Sequence, residues 1–196
     1  FVFEDGTPVR FWGTNLNSGA CFPEKPYAEK LAKRLAAYGC NMVRFHQIDS
    51  GWATPSIYQV KKGRRLENTS TYDPESFDRL DYLIYCLKKE GVYVYLDMLT
   101  YRKFKDEDGV RNAVALGNNA SPYSMFDPTL IELQKGYMRA LWLHHNPYTG
   151  LDYKDDPVFV LSDVINEACL FGCFGNYHNN FLFARDRNAE ELCGVF

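Results

Sequence analysis

Residues 157–170, "PVFVLSDVINEACL", open with a near-continuous apolar run over residues 158–161. A short run of this kind is typical of a strand buried on both faces, as in a parallel sheet. Asn166 and Glu167 follow where that strand is expected to end. An amide and a carboxylate at the tip of a buried strand therefore need a chemical explanation.

The composition indicates a folded globular protein. Of 196 residues, 46% are hydrophobic and 16% aromatic, which is enough to bury a core. The net charge of -3 and the scattered basic residues, apart from the run "KKGRR" at 61–65, exclude a nucleic-acid partner, which would need a basic face. No segment approaches the roughly 20 apolar residues of a membrane span. We expect a soluble chain with no membrane partner, any export signal having been removed.

Upstream of this strand, residues 1–16 predict a β-hairpin. Asp5-Gly6 between apolar runs is a strong hairpin signal, with a second strand expected from about Val9 to Trp12. Three helices and two more strands follow before Pro157. The first of these two strands is predicted over residues 41–45, and the second is predicted to begin at Val92.

The predicted helices carry their own start and stop signals. Apolar residues at helical spacing cover residues 27–38, and Gly39 follows as a left-handed stop. The other two helices are expected to begin with the N-caps Asp73 and Asp127, each followed by proline, and Gly91 ends the second. The order is a hairpin followed by β-α-β-α-β-α-β, which predicts an α/β fold with parallel strands.

Two segments, residues 46–72 and 100–126, are very long, and both leave the carboxyl ends of predicted strands. This is the functional edge of an α/β barrel or a doubly wound sheet. The glycine-rich signatures of dinucleotide-binding and P-loop proteins are absent from the sequence. The polar residues expected at the four strand tips are Asn15 and Asn17, Arg44 and His46, Asp97, and Asn166 and Glu167.

A carboxylate beside an amide suits glycoside hydrolysis. The carboxylic acid protonates the leaving oxygen and later activates water, while the amide donates a hydrogen bond to the sugar 2-hydroxyl. Glu167 and Asn166 fit these two roles. The alternative for a lone pair of this kind is a polar turn, but its position among other polar strand tips favours a site.

The runs "VRFWGTNL", "CNMVRFHQID" and "INE" resemble the catalytic barrels of glycoside hydrolase clan A, especially its cellulase-like and family 5-like proteins. The resemblance extends from Val9 to Leu170. It implies a (β/α)8 TIM barrel, of which the chain supplies an N-terminal hairpin and the first four βα units. It also implies that Glu167 is the acid/base, that Asn166 belongs to the family's Asn-Glu signature, and that Arg44 steadies the nucleophile carboxylate.

Residues 1–196 then form a single catalytic-barrel domain, incomplete at the C-terminus. The family's nucleophile lies on the seventh strand, and the residues after Glu167 are too few to reach it. Glu190 and Glu191 in "AEELCG" resemble a nucleophile tip, but their spacing favours a helix start. The histidine that many family 5 cellulases carry after the third strand is also replaced, by residues 97–101.

The substrate contacts are expected to be polar groups at the strand tips and aromatic rings, on which sugar C–H faces stack. Trp52 is the best candidate for stacking on a sugar because it lies in a long loop outside any amphipathic pattern. A structural role explains His46 as well as a role in binding does. The alternative for Arg44 is a surface ion pair, but its position in an apolar strand argues against this. The predicted substrate-binding residues are His46, Trp52, Asn15, Asp97 and Tyr101, with Trp12, Tyr58 and Tyr123 as further aromatic candidates.

The sequence thus predicts a retaining glycoside hydrolase that cleaves a β-linked polysaccharide or oligosaccharide, needs no cofactor or metal, and is secreted or periplasmic. Its expected partners are the carbohydrate and the remaining half of the barrel if the chain is a fragment. The alternatives are a non-catalytic carbohydrate-binding or scaffold protein and, less favoured, a metal-dependent isomerase or lyase. Among six cysteines, Cys40 and Cys86 are predicted core thiols; Cys169 and Cys173 could be thiols or a local disulfide.

Overall fold

The computed structural model describes residues 1–61, 64–65, 68–111, 113 and 123–167. Four of its strands form one parallel sheet whose spatial order follows the chain order. Two short antiparallel hairpins lie in the connections. In chain order the elements are β1 (Gly13–Asn17), α1 (Lys25–Ala37), β2 (Met42–His46), β3 (Val60–Lys61), β4 (Arg64–Arg65), α2 (Pro74–Lys89), β5 (Tyr93–Leu99), α3 (Pro128–Trp142), β6 (His145–Asn146), β7 (Leu151–Asp152) and β8 (Phe159–Ile165).

The sheet β1-β2-β5-β8 confirms the predicted α/β fold with parallel strands. Parallel neighbours need crossover connections, and α1, α2 and α3 provide them in turn. The two long segments after β2 and β5 leave the carboxyl edge of the sheet, as predicted. Sequential strand order with one helix per crossover is the construction of part of a (β/α)8 barrel.

The predicted caps of the helices are confirmed, although α1 begins at Lys25, two residues before its predicted start. The side chains of Asp73 and Asp127 each accept a hydrogen bond of 2.9 Å from the backbone N–H three residues on. Gly39 and Gly91 adopt φ values of 79° and 71°, the left-handed conformation that ends a helix at low cost for glycine. In the part of the chain that the structure describes, no helix is long and apolar enough to cross a membrane.

The hydrophobic core lies between the helices and one face of the sheet. Val43 and Phe45 of β2, with Val94 and Leu96 of β5, are fully buried in a cluster that includes the apolar stripes of α1 and α2. Side chains alternate across a strand, so the residues between them face the other side. That second face carries Met42, Arg44 and His46 of β2 and Tyr93, Tyr95 and Asp97 of β5. It corresponds to the lumen of the barrel, and it is rich in polar groups near the carboxyl edge.

The N-terminal strand was predicted too early in the chain. The Asp5-Gly6 turn forms, but residues 9–12 make no strand, and β1 begins at Gly13. A β-carbon at Gly13 would lie 2.6 Å from the carbonyl oxygen of Met42, so the close approach of β1 to β2 requires glycine there. The apolar residues before it pack instead: the ring of Phe11 meets Tyr93 edge-on at 5.7 Å. Asn15 and Asn17 consequently lie within β1, not after it.

Cys40 and Cys86 are buried free thiols, as predicted, and Cys21 is a third. Burial raises the pKa of Cys21 far above that of an ordinary thiol, and it lies within 3.2 Å of the carbonyl oxygen of Leu16. These residues therefore act as small core side chains. The prediction for Cys169 and Cys173 lies outside the described residues.

Candidate functional site

Arg44 is the centre of a cluster that joins three strands at the carboxyl edge of the sheet. Its Nε donates to Asp97 Oδ1 at 2.9 Å, and its Nη2 lies 2.8 Å from Asp97 Oδ2. The same Nη2 donates to Asn166 Oδ1 at 2.7 Å. The planar guanidinium thus binds one carboxylate through two nitrogens and fixes an amide with one of them.

The strand register explains why these groups meet. Asn15, Arg44 and Tyr95 are cross-strand partners in adjacent strands, and Asp97 is paired with Asp163 one layer further towards the carboxyl edge. The Arg44 guanidinium lies 5.1 Å from the centre of the Tyr95 ring and 3.7 Å from Asp163. Burial alone would lower the pKa of Arg44, but the hydrogen bond and charge of Asp97 outweigh it and raise that pKa. Arg44 is therefore a structured cation within the site.

Asp97 supports its neighbours and is fully buried. Besides Arg44, it contacts His46, whose Nδ1 makes a short contact with Asp97 Oδ2. A neutral histidine that donates from Nδ1 keeps Nε2 as an acceptor. Both carboxylate oxygens are engaged by protein groups, which places Asp97 as a support for Arg44 and His46. Its predicted direct contact with sugar remains a prediction.

Asn166 is held from two sides. Its backbone N–H donates to the carbonyl of Leu99 at 2.9 Å, which ties the tip of β8 to the tip of β5. Because arginine can only donate, the 2.7 Å bond from Arg44 identifies the contacting side-chain atom as the oxygen. The Nδ2 group, a donor, is thereby turned away from Arg44. This orientation leaves Asn166 able to present a donor, as the proposed bond to a sugar hydroxyl requires.

Glu167 directly follows Asn166, is exposed, and has a φ of 53°. In the described part of the chain, two other non-glycine residues with positive φ also follow strand ends: Ser18 after β1, at 51°, and Gln47 after β2, at 62°. Their side chains meet, with Ser18 Oγ donating to Gln47 Oε1 at 3.1 Å. Left-handed backbone at non-glycine residues is uncommon and is concentrated at functional sites. The strained positions therefore coincide with the edge at which chemistry was expected.

Trp52 and Tyr101 form an aromatic pair above this edge. Their ring centres lie 4.7 Å apart at 73°, and Trp52 is 56% exposed, so an aromatic surface is open to solvent. The other aromatic candidates are placed differently. Tyr58 is buried and is not available for stacking on a sugar, and Trp12 precedes β1, at the opposite edge of the sheet. Tyr123 packs against a second, smaller apolar cluster.

Asp49, Tyr95 and Asp163 were not predicted as site residues. Tyr95 and Asp163 share the lumen face with Arg44, and the alternation of strands could have indicated them. Asp49 lies three residues beyond β2 in an irregular segment, where no local pattern predicts its partners. Burial raises the pKa of Asp49, opposed by hydrogen bonds from Thr100 and Tyr101 that lower it.

A separate cleft of about 630 Å³ lies between α3 and the loops that follow β2 and β5. Its lining includes Arg102 and Tyr137 but not Arg44, Asp97 or Asn166. Arg102 is buried, with donors bonded to Thr69 and to the carbonyl of Leu133. The cleft is therefore distinct from the cluster around Arg44. Arg102 connects the two sides of the cleft, because it bonds both the loop after β2 and α3.

The described residues contain no group of three or more histidine, cysteine, aspartate or glutamate side chains that could hold a metal ion. Glu190 and Glu191, which the sequence did not favour as the nucleophile, lie outside the described residues.

No family model matches the chain. In sequence, it is 28% identical over 177 residues to the mannan endo-1,4-beta-mannosidase 3 of Oryza sativa subsp. japonica, which covers 85% of this chain and 36% of that protein. It is also 28% identical over 120 residues to the mannan endo-1,4-beta-mannosidase 5 of Arabidopsis thaliana, covering 56% of this chain and 25% of that protein. The chain thus spans about a third of the length of the first curated relatives it matches.

In structure, the chain is similar to the endo-1,4-beta-mannanase of Rhizomucor miehei, with a TM-score of 0.61 and 18% identity over 82% of this chain and 45% of that one. A family 5 glycoside hydrolase mannosidase of the same organism gives a TM-score of 0.58 at 18% identity, over 80% of this chain and 44% of that one. These matches confirm the fold as part of a (β/α)8 barrel. The predicted resemblance to family 5-like proteins of glycoside hydrolase clan A is confirmed, with plant mannan endo-1,4-beta-mannosidases as its sequence relatives.

Proposed function

We propose that the native protein is a retaining glycoside hydrolase that cleaves a β-linked polysaccharide or oligosaccharide. The observation that carries the proposal is the bond from Arg44 to Asn166 Oδ1, next to Glu167 at the tip of β8. It orients an amide donor beside a carboxyl group at the edge of the sheet where barrel enzymes perform their chemistry. The partial barrel fold and the sequence relatives agree with this assignment.

Glu167 is the proposed general acid/base. In the first half of a retaining reaction, its carboxylic acid protonates the departing glycosidic oxygen. In the second half, the carboxylate takes a proton from water as that water attacks the glycosyl-enzyme intermediate. The exposure of Glu167 at the end of β8 allows contact with both the glycoside and water.

Asn166 and Arg44 have supporting roles. The Nδ2 group of Asn166 donates to the sugar 2-hydroxyl, a bond that strengthens in the transition state. Arg44 fixes the amide and places a positive charge in the lumen, suited to orienting the carboxylate of a nucleophile contributed by the rest of the barrel. The exposed ring of Trp52 provides a stacking surface, and the Nδ1 contact of His46 with Asp97 leaves its Nε2 as the ring nitrogen proposed to hydrogen-bond a sugar hydroxyl.

The substrate to test first is β-1,4-mannan, because the relatives named above are mannan endo-1,4-beta-mannosidases. A polymer of this kind cannot enter a cell, so we also propose a secreted or periplasmic location. A β-1,4-glucan serves as the comparison substrate, since it differs from mannan at the 2-hydroxyl that Asn166 is proposed to contact.

The experiment compares Glu167→Ala with the native full-length protein. Loss of general acid assistance lowers hydrolysis of unactivated mannan by about 10²–10⁴-fold. A nitrophenyl β-mannoside, whose leaving group needs little protonation, loses less in its first step, and added azide restores turnover as a replacement nucleophile. Asn166→Ala lowers the rate for both kinds of substrate, because its bond acts on the sugar and not on the leaving group.

The matched control is Glu90→Ala, which removes an exposed glutamate at the amino edge of the sheet. Its rates equal those of the native protein. Equal and modest losses in Glu167→Ala and Asn166→Ala, without azide rescue, mean that the pair is structural. Binding of mannan without hydrolysis by the native protein favours the alternative of a non-catalytic carbohydrate-binding protein.

A further inference from the structure

Asp49 is a fully buried carboxylate that joins the two long loops at the carboxyl edge of the sheet. It lies in the loop after β2 and accepts hydrogen bonds from three consecutive backbone N–H groups in the loop after β5. These are Thr100 at 2.8 Å, Tyr101 at 3.1 Å and Arg102 at 3.1 Å. The hydroxyl of Thr100 makes a further short contact with Asp49 Oδ1.

Three successive N–H groups that converge on one carboxylate form an anion-binding concavity built from backbone. A buried carboxylate is costly unless hydrogen bonds replace its water, and this arrangement supplies them. The donor residues lie 51 to 53 positions after Asp49 in the sequence. The conformation of residues 100–102 therefore depends on Asp49.

This short segment links the aromatic pair to the cluster around Arg44. Leu99, just before it, accepts the backbone hydrogen bond of Asn166. Tyr101, within it, meets Trp52 with ring centres 4.7 Å apart. Trp52 lies only three residues after Asp49, so one carboxylate fixes both loops on which the two rings are mounted.

We propose that Asp49 is a positioning residue that sets the geometry of the Trp52–Tyr101 pair as a sugar-stacking surface. The proposal rests on the proposed function for the identity of the ligand, a β-linked oligosaccharide, but not for the geometry. Asp49 touches no substrate and acts through the backbone of residues 100–102.

The test separates geometry from activity by using Asp49→Ala and Asp49→Asn in the native full-length protein. Asparagine keeps an acceptor oxygen for the backbone N–H groups, and its amide can donate to the hydroxyl of Thr100. The first readout is the near-ultraviolet circular dichroism of Trp52, identified as the band that Trp52→Phe removes. Asp49→Ala abolishes or shifts that band, whereas Asp49→Asn preserves it.

The matched control is Asp73→Ala, which also removes a carboxylate that accepts a backbone N–H, but at the start of α2. It leaves the Trp52 band in place despite its own loss of stability. If Asp49→Ala does not fold, Asp49→Ser is measured in its place, because its hydroxyl is one bond shorter than the carboxylate and does not reach the backbone N–H groups of residues 100–102. An unchanged Trp52 band in the alanine or serine variant overturns the proposal.

The second readout is catalysis on β-1,4-mannohexaose. Displacing an aromatic contact raises KM by roughly 2- to 10-fold, with a smaller loss in kcat, because a stacking surface that contacts the sugar equally in the ground state and the transition state contributes uniform binding. Asp49→Asn restores KM. A fall in kcat with KM unchanged contradicts the proposal. If the native protein hydrolyses no β-glycan, the proposed function fails, and the Trp52 band still decides the role of Asp49.

Discussion

Replacing Arg44 by methionine tests the cluster by its energetics. The Asp97 side chain has no solvent exposure, so loss of Arg44 leaves a buried carboxylate with His46 as its charged or polar partner. Removing one member of a buried ion pair costs about 3–5 kcal/mol. The Arg44 side chain is 23% exposed and His46 remains, which places the expected cost near the lower limit, about 3 kcal/mol.

In a cooperative unit of 150–250 residues that loss corresponds to a fall in Tm of roughly 6–12 °C, and in a longer native protein to a smaller fall. The assays are urea unfolding, which gives the free energy, and thermal unfolding, which gives Tm, of the native full-length protein, both followed by circular dichroism. The double variant Arg44→Met/Asp97→Asn removes the stranded charge and recovers part of the stability, with a coupling energy of about 1–3 kcal/mol. A single-variant cost below about 1 kcal/mol, or strictly additive losses, would refute the idea that Arg44 compensates a buried Asp97.

Two further predictions concern the surface and the sheet edges. Tyr148 and Lys25 hydrogen-bond to Asp78 and lower its pKa below the ordinary 3.8. The ionised Asp78 therefore stabilises the folded state fully above pH 3.8, and this stabilisation is lost as the pH falls through the lowered pKa. The stability difference between the native protein and Asp78→Asn should therefore shrink on acidification below about pH 4, and a constant difference from about pH 6 to 2 contradicts this. Residues 1–196 expressed alone should associate, because within the described residues β1 and β8 each have one unpaired edge. Light scattering that shows a monodisperse monomer with a reversible two-state melt contradicts the half-barrel interpretation.

Local interactions made much of the fold predictable. The N-caps Asp73 and Asp127 act on backbone groups three residues away, and the stops Gly39 and Gly91 act within one turn. Such signals are complete within a few residues of sequence. The first strand was misplaced because its start at Gly13 depends on the close approach of Met42, a contact between segments 29 positions apart in sequence.

The sequence predicted which residues belong to the site better than it predicted the contacts between them. The strand tips indicated Arg44, Asp97 and Asn166, since carboxyl ends of parallel strands share one edge. That Asp97 supports Arg44 and His46 from a buried position could not be inferred, because burial depends on how three strands pack. Tyr58 shows the same limit: it was a candidate for stacking on a sugar, whereas the fold buries it.

By itself, the sequence determined the order of strands and helices, the helix ends and the polar strand tips, because these follow from apolar spacing and from contacts over a few residues. Only the tertiary structure decided which groups meet. Arg44 lies 53 positions from Asp97 and 122 from Asn166, and Asp49 reaches residues 100–102 from a loop without regular structure. Contacts over such separations are set by strand register and by the requirement to satisfy buried charges, which are properties of the folded chain as a whole.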